Sequence, residues 1–193
     1  MVYNEKRGLG HMHDHDFDYE RIAELRNRYV PDDAVLSSVN PSKNDIIVDI
    51  GSGEGHYSEL FARNAKQIFS VDHSKKAIDL VKNKIVKKSI SNLTACMENV
   101  CSEFSPKGFN KVFFGTSFHD IPCRDNLIKT LIGRSSGKLR ITFLEFKKAD
   151  TVGPPVEIRI SEEELEEYMK KMGFIKENSK DLEIHYIHSY SKS

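Results

Sequence analysis

Gly51, Gly53 and Gly55 occupy alternate positions directly after the apolar run Asp45 to Ile50 and just before a segment with helical spacing of Leu60, Phe61 and Ala65. Such a run reads as a strand buried on both faces, so strand, glycine turn and helix follow in that order. A loop that cradles a nucleotide requires this context. Glycine adopts backbone angles closed to other residues and, lacking Cβ, lets a ligand approach the main chain. The helix that follows directs unpaired N–H groups and a partial positive charge at the same place. Asp49 stands two residues before the first glycine, and Ser52 lies within the turn. A second acid, Asp72, ends the next short apolar strand, Lys66 to Val71, and lies 17 residues beyond Gly55. A carboxylate there can accept hydrogen bonds from both hydroxyls of a ribose, or cap the helix that follows. The dinucleotide fingerprint Gly-x-Gly-x-x-Gly is missed, because its third glycine would fall on His56.

Histidines supply the other chemistry. Phe109 to Ile121 reads as a fourth strand and its outgoing loop, which puts Gly115, Thr116 and His119 beyond the strand's carboxyl end, where ligands of open α/β sheets bind. His119 is a candidate general base; the alternative is a satisfied, partly buried histidine. His11, His13 and His15 would share one face of an extended chain. Three imidazoles there can hold a transition metal, or belong to a solvated N-terminal arm. No metal ligands are assigned.

The elements that must position these residues are legible from spacing. Asp18 onward reads as a helix with Ile22, Leu25 and Tyr29 on one face, interrupted by Pro31; Pro31 to Leu36 starts a second. Ser74 to Lys88 is amphipathic, with Ala77, Ile78, Val81 and Ile85 as its core stripe. Its six lysines read as a solvated face, since no aromatic residues interleave to stack bases. Leu93 to Cys96 is a third strand and Gly137 to Phe146 a fifth. Between them Asn126 to Gly133 is a helix; after the fifth strand Ser161-Glu-Glu-Glu164 opens another with a capping box. Phe174 to Lys176 and Leu182 to Tyr190 read as two closing strands, with His185, Tyr186 and His188 alternating inward and outward. At 193 residues, with 29 basic and 29 acidic side chains, one domain with a sizeable core is expected. The charge balance calls for no nucleic-acid or membrane partner. No apolar run approaches the ~20 residues of a membrane span, and Met1 to Arg7 is too polar for a secretory signal. Cys96, Cys101 and Cys123 are odd in number and lack metal spacing, so reduced thiols and a cytoplasmic location are expected.

Asp49-Ile-Gly-Ser-Gly-Glu-Gly55 at the end of the first strand resembles the first motif of the class I methyltransferases that use S-adenosylmethionine (SAM), acidic-x-Gly-x-Gly-x-Gly. Phe109 to Ile121 is similar to that family's Phe-Asp-x-Val…Leu-His-x-Ile pattern, and Gly153-Pro-Pro155 resembles its loop after the fifth strand. The resemblance runs from about Tyr19 to Tyr190, and is nearest to the small type 11 methyltransferases. It implies a three-layer, Rossmann-like α/β fold with a seven-stranded, mostly parallel sheet whose last strand is antiparallel. It also implies one domain over residues 1–193, with residues 1–40 as an arm and helices covering the cofactor pocket.

The implied cofactor is SAM, held by Asp49, Gly51, Ser52, Gly53 and Gly55, with Asp72 on its ribose. His73 would pack on the adenine, where the family usually has an aliphatic residue. Met97 stands where the family has an acid for the adenine amino group, so Glu98 or Asn99 would have to serve. Gly115 and Thr116 would complete the wall. The implied function is methyl transfer to a small-molecule acceptor, with His119 as the base. A non-catalytic SAM-binding sensor or partner protein is the alternative. An NAD-dependent enzyme is disfavoured by the missing glycine and the closing strand pair. Arsenite methylation needs thiolates, and the three cysteines do not match the family's positions for it.

Overall fold

The computed structural model describes residues 19–149 and 152–193; the His11, His13, His15 motif lies outside them. Two helices come first, α1 (Tyr19–Tyr29) and α2 (Asp32–Val39). Alternation then begins: β1 (Ile46–Ile50), α3 (His56–Ala62), β2 (Gln67–Asp72), α4 (Lys75–Lys88), β3 (Leu93–Met97) and β4 (Lys111–Gly115). A 3-10 turn, Phe118–Asp120, leads to α5 (Arg124–Arg134), β5 (Leu139–Phe146), α6 (Glu162–Lys171), β6 (Ile175–Asp181) and β7 (His185–Lys192). The sheet order is β3-β2-β1-β4-β5-β7-β6. Neighbours from β3 to β5 are parallel, and β7 runs antiparallel to both β5 and β6. The order reverses between β1 and β4, the point at which open α/β sheets bind ligands.

Each face of the sheet has its own core. Val35 and Val39 of α2, Phe61 of α3 and Val81 of α4 bury one face together with Ile47, Phe113 and Ile187. Leu127 and Leu131 of α5 and Leu165 and Met169 of α6 bury the other, against Val48, Phe114, Phe143 and Tyr186. Helices on both faces give three layers. β1 contributes to both cores, as its mostly apolar run requires. Ser161 and Glu164 form the capping box that starts α6. Ser74 caps α4 by accepting from the Ala77 N–H. Pro31 sits at the N-cap of α2 in extended conformation, one position before the helical residue expected of it.

The last strand departs from the expected alternation. Every residue from His185 to Ser191 is buried, because β7 lies inside the sheet, between β5 and β6, with α2 on one face and α6 on the other. Several of its polar atoms find protein partners instead of water, while His185 Nδ1 has none among the described residues. His188 contacts Glu162 at 2.9 Å and the Tyr190 hydroxyl at 3.0 Å, and the Tyr186 hydroxyl donates to the Ile160 carbonyl. The edge falls to β6, whose side chains alternate between exposed and half-buried and include Lys176, Glu177 and Lys180, the charged type that discourages pairing with another chain.

Candidate active site

The glycine turn joins β1 to α3 with left-handed backbone at all three glycines, φ being +68° at Gly51, +53° at Gly53 and +75° at Gly55. Two of the three are demanded by the protein's own packing. A Cβ on Gly51 would lie 2.4 Å from the Ser117 Cβ, and one on Gly55 would lie 2.8 Å from a methyl carbon of Val81. The turn's N–H groups are also largely committed. Those of Gly51 and Ser52 donate to the Val71 carbonyl, that of Gly55 to the Ser52 carbonyl, and that of Gly53 to Asp72 at 2.9 Å. The glycines therefore shape the cradle and supply few free donors.

The carboxylates around the turn differ in their surroundings. Asp49 is buried, accepts from the Ser58 hydroxyl at 2.6 Å, and has its pKa pushed up to about 7 by burial, with the nearby charge of Asp72 adding to the rise. Asp72 braces two elements, accepting from Gly53 N–H through one oxygen and from Ser74 N–H through the other. Each oxygen keeps a second lone pair, so ribose binding and bracing are compatible. His73 extends into solvent beside it. Across the turn, Glu98 accepts from the Ser105 backbone and hydroxyl, and Asn99 Oδ1 accepts from Cys101 N–H. Both candidate adenine acceptors thus hold the β3–β4 loop together. Exposed Met97 stands next to them.

Three polar atoms around the turn are buried without a hydrogen-bond partner among the described residues: Ser52 Oγ, the Tyr57 hydroxyl and Arg26 Nε. They come from the turn, the start of α3 and α1. Leaving such groups unpaired costs about 1–3 kcal/mol each, and a polar ligand in the turn would satisfy them. The residues present therefore fit a cofactor with an amino-acid end.

Beyond β4 the chain turns sharply. Thr116 has φ +54°, and its hydroxyl donates to the Gly115 carbonyl. A Cβ on Gly115 would meet the Phe113 and Tyr57 rings. Ser117 hydrogen-bonds to the Ile50 carbonyl at 2.7 Å, tying this loop to the end of β1. His119 is buried, with Nδ1 2.7 Å from Glu145 Oε2 and Nε2 3.4 Å from Asp120 Oδ2. The second Glu145 oxygen accepts from Phe118 N–H at 2.9 Å and His119 N–H at 3.4 Å. Arg124 donates to the carbonyls of Phe118 and His119. Burial alone would lower the His119 pKa, but the hydrogen bond and charge of Glu145, helped by Asp120, outweigh it and hold the imidazole above its ordinary value.

His119 lines a cavity of about 770 Å³ whose other walls include Phe118, Arg124, Ile158, Ile160, Leu165 and Tyr168, within the usual size of small-molecule sites. Arg159 shapes its rim by donating to the carbonyls of Lys147, Ala149, Val152 and Pro154. His119 follows a recognisable strand end, whereas Glu145 shows in the sequence only as a lone acid inside an apolar strand, and Arg26 and Tyr57 carry no motif.

The cysteines correct an expectation. Cys101 and Cys123 form a disulfide with S–S 2.05 Å, and Cys96 alone is free, its thiol pushed up to about 11 by burial and then by the charge of Glu98. The β3–β4 loop and the start of α5 meet at the carboxyl ends of the strands, bringing together residues 22 apart in sequence. Free thiols therefore no longer argue for a reducing compartment. Among the described residues no helix is long and apolar enough to cross a membrane, and no cluster of histidine, cysteine and acidic residues could hold a metal.

Comparison with known proteins agrees with this geometry. A family model described as a methyltransferase domain matches residues 41–184. The chain is 31% identical over 80 residues to a probable cobalt-precorrin-6B C(15)-methyltransferase (decarboxylating) of Methanococcus maripaludis, covering 42% of this chain and 44% of that protein. It is 35% identical over 68 residues to the ubiquinone biosynthesis O-methyltransferase of Pelagibacter ubique, covering 35% of this chain and 28% of that one. The chain thus spans less than half the length of either relative. Among solved structures, a SAM-dependent methyltransferase from Aquifex aeolicus superposes with a TM-score of 0.80 at 17% identity, covering 91% of this chain and 98% of that one. Glycine turn, sheet order and family model converge: the chain belongs to the class I SAM-dependent methyltransferases.

Proposed function

We propose that this chain transfers a methyl group from SAM to a small-molecule acceptor bound in the cavity beside His119. One observation carries the reading: Ser117 abuts Gly51, and two residues further on His119 lines the cavity. This closeness along the chain supports placing the cofactor's cradle and the acceptor's space side by side. Bound SAM supplies an activated methyl group on a sulfonium, open to in-line displacement.

The chain's part is to bind, align and manage a proton. Asp72 takes the ribose hydroxyls, His73 and Met97 flank the adenine, and the glycine turn shapes the methionyl end. Nδ1 of His119 faces Glu145, so the neutral imidazole keeps its proton there and leaves Nε2, 3.4 Å from Asp120 Oδ2, to act as the base. Glu145 fixes that orientation through the backbone as well as the ring. Such a base matters for an acceptor hydroxyl or amine that must lose a proton on methylation. The two relatives are named for cobalt-precorrin-6B and for ubiquinone biosynthesis, which supports a small organic acceptor for this chain.

Thermal unfolding with added ligands tests the first half. SAM or S-adenosylhomocysteine at about 100 times its dissociation constant should add ~2.7 kcal/mol, roughly 5–10 °C in midpoint for a domain of this size, while NAD should add nothing. Label transfer from methyl-tritiated SAM into pooled small metabolites, against ribosomal RNA, tests the second. Label in RNA alone would overturn the acceptor class.

A further inference from the structure

We propose that Arg26 of α1 receives the carboxylate at the amino-acid end of the cofactor; this rests on the cofactor reading above. The guanidinium is mostly buried, and one terminal nitrogen lies 3.0 Å from Glu54 Oε1 in the glycine turn. Its Nε is buried and unpartnered among the described residues, as are Ser52 Oγ and the Tyr57 hydroxyl. Arg26 is close enough to Tyr57 for its charge to act on the phenol. A planar guanidinium held by one carboxylate at one end still has donors for a second. The hydroxyls of Ser52 and Tyr57 stand ready to join it.

Charge gives the arrangement its need. Asp49, Glu54 and Asp72 make the turn acidic, so an entering carboxylate meets repulsion unless a cation faces it. Among the described residues, Arg26 is the only guanidinium ion-paired to residues 51–55. It arrives from a helix that precedes β1, which is why the turn's own motif gives no hint of it. The structure thus gives α1 a role in recognition as well as in cover.

Titration calorimetry on the full chain with two ligands tests this. S-adenosylhomocysteine carries the amino-acid end, and 5′-methylthioadenosine keeps adenosine and sulfur but lacks it. Arg26→Gln should weaken S-adenosylhomocysteine by about 10- to 100-fold, the scale of a charge-assisted hydrogen bond, and leave methylthioadenosine unchanged. Glu54→Gln breaks the same ion pair while sparing the guanidinium, and should change S-adenosylhomocysteine affinity by no more than about 5-fold. Equal losses for both ligands in Arg26→Gln would make Arg26 a brace for α1 and overturn the proposal. So would a Glu54→Gln loss as large as that of Arg26→Gln, or unchanged S-adenosylhomocysteine binding in Arg26→Gln. If the native chain bound neither ligand, the cofactor reading itself would fall first.

Discussion

The two halves of the sheet end very differently at their carboxyl edges. On the β1–β2 side, the glycine turn leaves Ser52 Oγ, the Tyr57 hydroxyl and Arg26 Nε buried and unpaired. On the β4–β5 side, His119 and Glu145 answer each other, and the carboxylate also takes the N–H groups of its neighbours. One half gathers three unpaired polar atoms around a turn, and the other centres on a satisfied imidazole–carboxylate pair, with the Tyr168 hydroxyl left unpaired on the cavity wall. Unpaired polar atoms mark where binding energy is to be gained, whereas a closed imidazole–carboxylate pair marks where a proton can be held in a fixed place. On the function proposed above, the contrast separates recognition from chemistry.

The largest effect should come from breaking the closed half. His119→Ala should lower kcat by about 10²- to 10⁴-fold and leave the dissociation constant of S-adenosylhomocysteine unchanged; an unaltered kcat would reduce the pair to scaffolding. The pH profile sharpens the same point. The His119 pKa is raised, so the base form, and with it kcat/KM, should grow as pH climbs through a value above ~6.5. Stability runs the other way, since the charged pair contributes fully below ~6.5 and is lost above the folded pKa. Glu145→Gln should move the kinetic midpoint downward, and a midpoint that stays put would detach the two residues.

Breaking the open half should cost less. Asp72→Ala is expected to weaken SAM by about 1.5–3 kcal/mol, read by calorimetry on a variant whose unfolding midpoint is also measured, because Asp72 braces Gly53 and Ser74. Unchanged affinity in a folded variant would move the ribose elsewhere. Gly51→Ala tests whether the turn is built for its own packing: left-handed backbone costs an alanine about 1–2 kcal/mol, and the clash with Ser117 adds to that. Its chemical-denaturation midpoint should fall even without ligand, and a stable variant with merely weak SAM binding would contradict the packing argument.

The smallest effect concerns Asp49. A carboxyl that ionises near pH 7 inside the fold but near 4 when unfolded lowers stability as pH rises between those values. The positive charges of SAM favour its ionised form, so SAM affinity should rise a few-fold as pH climbs through about 7. Asp49→Asn should flatten that slope; a slope that persists in the variant would assign it to another group.

Local signals carried much of the fold. The run Asp45 to Ile50, the glycines after it and the Ser161–Glu164 box declare themselves within a few residues. So does Asp72, at the end of its strand. What stayed hidden depends on contacts far apart in the chain. β7 carries His185, Ser189 and Ser191 on one face and His188 on the other, polar residues that read as wet until β6 and two helices are seen to cover the strand. Cys101 and Cys123 meet only after β3, β4 and their loops are in place. Arg26 lies before the first strand and Glu145 in the fifth; neither has a motif. Glu145 is buried and Arg26 largely so, and such charges fold only with partners; a partner is what a single sequence does not name.

The interior place of β7 has a further consequence, for synthesis. It is the last of the seven strands to be translated, yet it lies between β5 and β6, both of which leave the ribosome before it. Until His185 to Lys192 emerges, β5 presents an open parallel-sheet edge and β6 has no place to pair. A nascent chain at that stage exposes Phe143 and the inner faces of α2 and α6, whose cover Tyr186, Ile187 and Tyr190 later complete. The sheet can close only after β7 has emerged, so pausing before His185 to Lys192 is clear of the ribosome would expose more aggregation-prone surface than pausing between β3 and β4.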